Sequence, residues 1–264
     1  MIALIGSLDP LTRLAAETLR AEGRPVVTCL LGERTALDGD TVTFRIEHLG
    51  TLLGHLAERG VTEACLSGAI ARPRIDPSQI DAATLPLVPR LMAALGQGDD
   101  GALRVVLAIL EERGLAVRGV HEVVPGLLPE PGVLSAAQPS REQEADAAKA
   151  EQVHRIIAPA DIGQGVILRK GQVLAVEAGP GTDFMLRSVE GVAEGALFFK
   201  APKLGQDRRT DLPVIGPATV ERARAARLSA VVIEAGGVML LEREATVAAA
   251  DAAGLVLWVR EPSA

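Results

Sequence analysis

The chain has 264 residues, 48% of them hydrophobic and 23% charged, with a formal net charge of −7. This is the composition of a globular chain of one large or two modest domains, and it excludes a disordered tail. With Phe 4, Trp 1 and Tyr 0 the core must be aliphatic, and the acidic balance and scarcity of rings exclude a general nucleic-acid binder.

Ile2–Gly6 is a continuous apolar run that predicts a buried strand. Asp9 then offers an N-cap with Pro10 at the first helical position, and Leu11, Leu14, Ala15 and Leu19 share one helical face. Val26–Leu31 and Val42–Ile46 read as further strands, and Leu49, Leu52, Leu53 and Leu56 line a helix closed by Gly60. Ala64–Ser67 predicts a strand; helices near Leu85–Leu95 and Leu103–Arg113 lead to another at Leu115–Val120. Apolar strands separated by helices indicate a parallel sheet covered on both faces, a Rossmann-like layer. Cys29 and Cys65 fall inside the apolar runs and read as core residues of a reducing compartment. No run reaches the roughly 18 apolar residues of a membrane span. The start, MIALIGSLDP, lacks the features of a signal peptide, so a cytoplasmic setting is expected.

Pro125, Pro129, Pro131 and Pro139, with Gly126 and Gly132, make 125–139 the linker, so that 1–135 and 140–264 are the expected domains. Ser140 with Gln143 fits a capping box opening a polar helix to about Ala158. Ile167–Val176 predicts a hairpin turning at Lys170-Gly171, and Ala196–Lys200 a strand. A helix over Ala218–Leu228, apolar runs at Val231–Glu234 and Val238–Leu241, a helix at Glu242–Ala253 and a strand at Leu255–Val259 follow. Hairpins mixed with helices indicate a mixed-sheet α/β domain after the Rossmann-like one.

Four polar segments interrupt this frame. The densest, Phe198–Pro213, sets Lys200, Lys203, Arg208 and Arg209 beside Asp207 and Asp211. Cations next to carboxylates on one loop suit a phosphate bridged by a divalent ion, and a solvated surface loop is the alternative. In the second, Glu177 ends a strand and Gly181, Thr182 and Asp183 open a helix, either an anion and metal site or an ordinary cap. The third, Asp161-Ile162-Gly163-Gln164-Gly165, permits close backbone contact with a ligand, or is a routine turn before a hairpin. The fourth pairs Gly68 and Arg72, after a strand, with Asp99 and Asp100, one of which reads as an N-cap for the helix at Leu103–Arg113. There is no G-x-G-x-x-G after the first strand and no Walker A motif, and the four histidines lack metal-ligand spacing. His121, after a strand, is the one to watch, and a structural role is the favoured reading of it.

Taken together, GDD-x2-LR, G-x-HEV, DIGQG, VLAVEA-x2-GTD-x-ML and KAPK-x2-QD-x-R-x-DLP-x-IG, in chain order, resemble the LpxI-type UDP-2,3-diacylglucosamine pyrophosphatases of lipid A biosynthesis. The resemblance spans nearly the whole chain. It implies a Rossmann-like N-terminal domain linked to a C-terminal α/β domain, hydrolysis of UDP-2,3-diacylglucosamine to UMP and 2,3-diacylglucosamine 1-phosphate, and dependence on Mg²⁺ or another divalent cation. It makes Asp211 the catalytic carboxylate; binding the cation, orienting the attacking water, or both are the roles open to it, with Glu177 and Asp183 as candidate metal co-ligands. Gly68, Arg72, Asp99, Asp100, Gln164, Gly165, Thr182, Lys200, Lys203 and Gln206 are candidate substrate contacts. Two places depart from the family pattern: Ser7, Leu8 and Asp9 replace a glycine cluster in the first turn, and Ala69 stands where Asn is usual. The expected partner is a lipid-linked UDP-sugar, with transient peripheral contact with the inner membrane and a homodimer left open. A non-catalytic nucleotide–lipid binding protein and a nicotinamide-dependent oxidoreductase are the competing readings.

Overall fold

The computed structural model describes residues 1–32, 37, 39–68, 75–95, 99–203, 205, 207–210 and 212–263, with the backbone alone at 94, 95, 99, 100 and 102. Contacts divide the chain into two units. Met1–Pro125 with Asp207–Asp211 forms one, and Gly126–Gln206 with Leu212–Ala264 the other. The division falls at the start of the proline-rich stretch, and a short excursion of the later chain belongs to the first unit.

The first unit runs β1 (Ile2–Gly6), α1 (Pro10–Ala21), β2 (Val26–Leu31), β3 (Thr41–Phe44), α2 (Leu49–Glu58), β4 (Glu63–Ser67), α3 (Val88–Leu95), α4 (Asp99–Glu112), β5 (Ala116–Val117) and α5 (Val120–Val123). Its sheet is parallel, in the order β3-β2-β1-β4-β5. Asp9 caps α1 through a 2.9 Å bond from the Thr12 amide to its Oδ1, and Leu11, Ala15 and Leu19 turn into the core. Cys29 on β2 and Cys65 on β4 are buried free thiols, and burial pushes the pKa of each up to about 12. They are core residues, inert at neutral pH.

Three expectations are corrected here. The strand foreseen at Leu115–Val120 is only two residues long, because the Gly119 amide bonds Glu122 Oε2 at 3.1 Å and opens α5 instead. Val42–Ile46 ends as a strand at Phe44, and Ile46–His48 is a 3₁₀ turn. The helix foreseen at Leu103–Arg113 already begins at Asp99, so Asp99 and Asp100 stand in its first turn rather than before it.

The second unit runs β6 (Gly132–Val133), α6 (Arg141–Ile157), β7 (Gly165–Arg169), β8 (Gln172–Val176), α7 (Thr182–Ser188), β9 (Leu197–Lys200), β10 (Val214–Ile215), α8 (Pro217–Ala225), β11 (Ala230–Glu234), β12 (Met239–Leu240), α9 (Arg243–Ala253) and β13 (Val256–Arg260). The main sheet has the order β6-β13-β11-β9-β7-β8; β9, β11 and β13 are parallel, while β6, β7 and β8 run antiparallel to their neighbours. β10 and β12 pair separately in parallel. The β7–β8 turn has positive φ at both Lys170 (51°) and Gly171 (75°), as a two-residue hairpin demands. Asp146 of α6 fastens it by accepting from the Lys170 amide at 2.8 Å and the Gly171 amide at 2.7 Å.

Side-chain alternation along β9 divides this core. Phe198 packs with Met185, Leu186 and Val220 of α7 and α8, whereas Leu197 and Phe199 meet Ala147 and Ala150 of α6 on the other face. Phe198 and Phe199 are 0% and 1% exposed, and burial of each contributes roughly 1.5–3 kcal/mol. Alternation places Lys200, the next residue, on the Phe198 face. It is there that charge enters the interior.

Candidate active site

Three strand ends meet in the second unit. Gly165 opens β7 opposite Lys200, the last residue of β9, and the Glu177 amide, just past β8, donates to the Gly165 carbonyl at 2.8 Å. Lys200 is 4% exposed and Glu177 8%. Lysine Nζ lies 3.5 Å from Glu177 Oε2 and donates to the Thr182 hydroxyl at the start of α7. A buried ammonium without a counter-charge is strongly disfavoured, so this pair is what lets Lys200 stay inside.

The glycines of the Asp161–Gly165 segment have a steric reason. A Cβ on Gly163 would lie 2.1 Å from the Glu177 carbonyl oxygen, and one on Gly165 would lie 2.7 Å from Glu177 Oε2 and 2.9 Å from the Phe198 ring. Only hydrogen fits at either position. The Gln164 carbonyl accepts from the Ala201 amide at 3.0 Å, which ties the segment to the Lys200–Lys203 stretch. Gln164, Gly165, Thr182 and Lys200 are thus brought together.

The remaining predicted residues are placed differently. Asp183 is paired with Arg222 of α8 at 2.8 Å, and Lys203 with Asp161 at 2.6 Å. Glu177 and Asp183, the expected co-ligands of a cation, are therefore each taken by a basic side chain. Among the described residues no three His, Cys, Asp or Glu side chains gather as a metal site. In the first unit Gly68 follows β4 with φ 81°, beside the Asp9 carboxylate and the Ser7 hydroxyl, while Ser67 and Thr12 share a buried 2.9 Å hydrogen bond. Ser7 and Asp9, two of the residues that depart from the family pattern, thus lie at the point where the strand order of the parallel sheet reverses, and Asp9 caps α1, while Ala69 lies outside the described residues. Asp211, Arg72 and Gln206 lie outside the described residues, as do the side chains of Asp99 and Asp100.

Two histidines hold a buried ring nitrogen that has no hydrogen-bond partner among the described residues, Nδ1 of the half-buried His121 and Nε2 of the buried His154. Burial holds both below the usual histidine range; at His121 the charge of Arg208 acts the same way, and at His154 a bond to the Ala201 backbone opposes it. His154 packs edge-on against Phe199, with ring centroids 6.1 Å apart. Sequence reasoning passed over it because α6 looks polar. The signal was present, however: Asp146, Ala150 and His154 recur every four residues, and all three are buried.

Residues 1–127 match the LpxI N-terminal domain and residues 130–258 the LpxI C-terminal domain. Over 226 residues the chain is 39% identical to the protein named UDP-2,3-diacylglucosamine pyrophosphatase LpxI from Caulobacter vibrioides, an overlap of 82% of this chain and 81% of that protein.

Proposed function

The chain belongs to the LpxI family in both of its domains, and from that premise we propose that it hydrolyses the pyrophosphate of UDP-2,3-diacylglucosamine, releasing UMP and 2,3-diacylglucosamine 1-phosphate in lipid A biosynthesis. The observation that carries the reading is the buried Lys200, held by Glu177 and Thr182 within the matched C-terminal region. Phosphoanhydride hydrolysis has little covalent chemistry for the protein to do, and depends on positioning and on neutralising phosphoryl oxygens. A lysine fixed in a low-dielectric pocket supplies such a charge without reorganising at the moment of reaction. Lys203, exchangeable from its outer partner Asp161, would meet a second phosphate oxygen.

Asp211 takes the role of catalytic carboxylate, orienting the attacking water. With Glu177 paired to Lys200 and Asp183 to Arg222, Asp211 is the carboxylate that would hold the divalent cation of this proposal beside the substrate. Mg²⁺ commonly binds in this way, through one or two carboxylates and substrate phosphates. When bound it would neutralise charge on the phosphoryl oxygens. Gln164 and Thr182 would hold nucleotide or sugar by polar contacts, and the acyl chains would bring the enzyme to a membrane surface without a span. Among the described residues no helix is long and apolar enough to cross a bilayer.

Purified protein given UDP-2,3-diacylglucosamine and Mg²⁺ should release UMP, detected by anion-exchange chromatography. EDTA should stop the release, and Asp211→Ala should abolish it in a protein that melts like the wild type. Binding of the substrate without release, or full turnover by Asp211→Ala, would overturn the proposal.

A further inference from the structure

Lys200 enters the interior on the α7 face of β9, but the strand that carries it is also gripped from the α6 face. His154 of α6 is 3% exposed and meets Phe199, the residue before Lys200, edge-on, with the ring planes at 65°. Its ring also bonds the backbone of Ala201, the residue after Lys200. Ala201 is fully buried, and its amide donates in turn to the Gln164 carbonyl at 3.0 Å. One imidazole therefore touches the residues on both sides of the lysine. The sheet ladder reaches no further than Lys200, which stands opposite Gly165 and Ile233, and past it residue 201 is held by Gln164 and His154.

Packing alone gives no reason for a histidine here. Its neighbours on α6, Ala147 and Ala150, meet Leu197 and Phe199 with methyl groups, and a leucine would fill the position without a polar atom. Nε2 is buried and, among the described residues, has no hydrogen-bond partner. Such an atom costs roughly 1–3 kcal/mol that an apolar side chain of similar size would not. A native chain keeps a group of this kind where it serves something other than stability. The Glu177 and Glu151 carboxylates act on the ring, yet burial prevails and keeps it neutral, so it adds no second positive charge beside Lys200.

We propose that His154 is a positioning residue for Lys200: packed on Phe199 and bonded to Ala201, it fixes the end of β9 and with it the direction in which the ammonium is presented to a phosphoryl oxygen. All of these groups belong to the second unit. The inference rests on the reading of Lys200 as the charge that meets the pyrophosphate.

The test follows UMP release and melting temperature in the full-length wild type, His154→Leu, His154→Gln and Asp146→Ala. His154→Leu should lower kcat about tenfold with KM within about twofold, since a misdirected charge is felt in the transition state rather than in binding. Its melting temperature should equal or exceed the wild-type value, because the buried unpartnered nitrogen is gone. His154→Gln returns a polar group to Ala201 and should bring kcat back to within about threefold of the wild type. Asp146→Ala loosens the same helix from the hairpin at the other end of β7 and β8, and should melt lower at an unchanged kcat. A wild-type kcat in His154→Leu, a loss confined to KM, a glutamine variant as slow as the leucine one, or an equal loss of kcat in Asp146→Ala would overturn the inference. So would a melting temperature of His154→Leu as low as that of Asp146→Ala, the mark of a merely structural role. A wild type that releases no UMP would instead overturn the functional reading beneath it.

Discussion

Replacing Glu177 by Gln should take a carboxylate away from the Lys200 ammonium in the interior of the second unit. The two side chains are 5% and 11% exposed, with 3.5 Å between Nζ and Oε2. At an effective dielectric of 20, unit charges at that separation attract by about 5 kcal/mol, and the cost of desolvating both groups cancels part of this. Removing one partner of a buried pair typically costs about 3–5 kcal/mol. The Thr182 hydroxyl stays with Lys200, so the expected loss lies at the lower end, about 3 kcal/mol, or a fall of about 6–12 °C in melting temperature for a unit of this size. Trp258, the single tryptophan, lies on β13, so its fluorescence follows unfolding of the second unit. In the double variant Glu177→Leu/Lys200→Met no charge is left unpaired, and stability should return most of the way to the wild type. If Glu177→Gln costs less than about 1 kcal/mol, as an exposed pair would, the pair is not the buried device described here. Additive losses in the double variant would refute the reasoning equally.

Gly165→Ala should destabilise the second unit by about 1–3 kcal/mol, because the added methyl would displace Glu177 Oε2 and the Phe198 ring; urea unfolding followed by Trp258 checks this. Asp146→Ala should cost about 2 kcal/mol by leaving two hairpin amides unsatisfied, with faster amide exchange at Lys170 and Gly171 as the readout. In the first unit, the Arg45 guanidinium and the Asp76 amide hold the carboxyl of Glu47 down at about 2, against 4.5 ordinarily. A depressed folded-state pKa contributes stability that is complete above 4.5 and is lost as pH falls towards 2. The stability gap between wild type and Glu47→Gln should therefore close over that range, and a gap independent of pH would contradict the assignment.

How far the fold could be read from sequence depended on whether burial and local signals agreed. β1, β2 and β4 are apolar throughout because the parallel sheet covers both faces, and Asp9-Pro10 and Ser140 with Gln143 carry their capping chemistry in their side chains. The Lys170-Gly171 hairpin was legible for the same local reason. β6 was not, since Gly132–Val133 sits among prolines and becomes a strand only by pairing with Trp258 and Val259 far along the chain. β10 and β12 are likewise short and owe their existence to each other. At the site, Gln164, Gly165, Thr182 and Lys200 could be named singly from the sequence, but neither their meeting at three strand ends nor the partners of the carboxylates could be. Whether an acid faces a metal or a lysine is decided by which strand ends lie side by side, and spacing along the chain does not encode that. The buried charges of α6 were missed because a helix that covers a sheet with alanines keeps a polar composition even where Asp146, Glu151 and His154 point inward.

The excursion of 207–210 has a bearing on biosynthesis. A nascent chain that has delivered only its first 125 residues has not yet made one piece of its first unit, and must translate about eighty more before Asp207 and Arg209 exist. The earlier half is consequently finished by the later one. A clone truncated at Pro125 would present Glu111 and the space beside Gly119 uncovered, and joining separately produced halves would require that piece to find its seat from the other fragment.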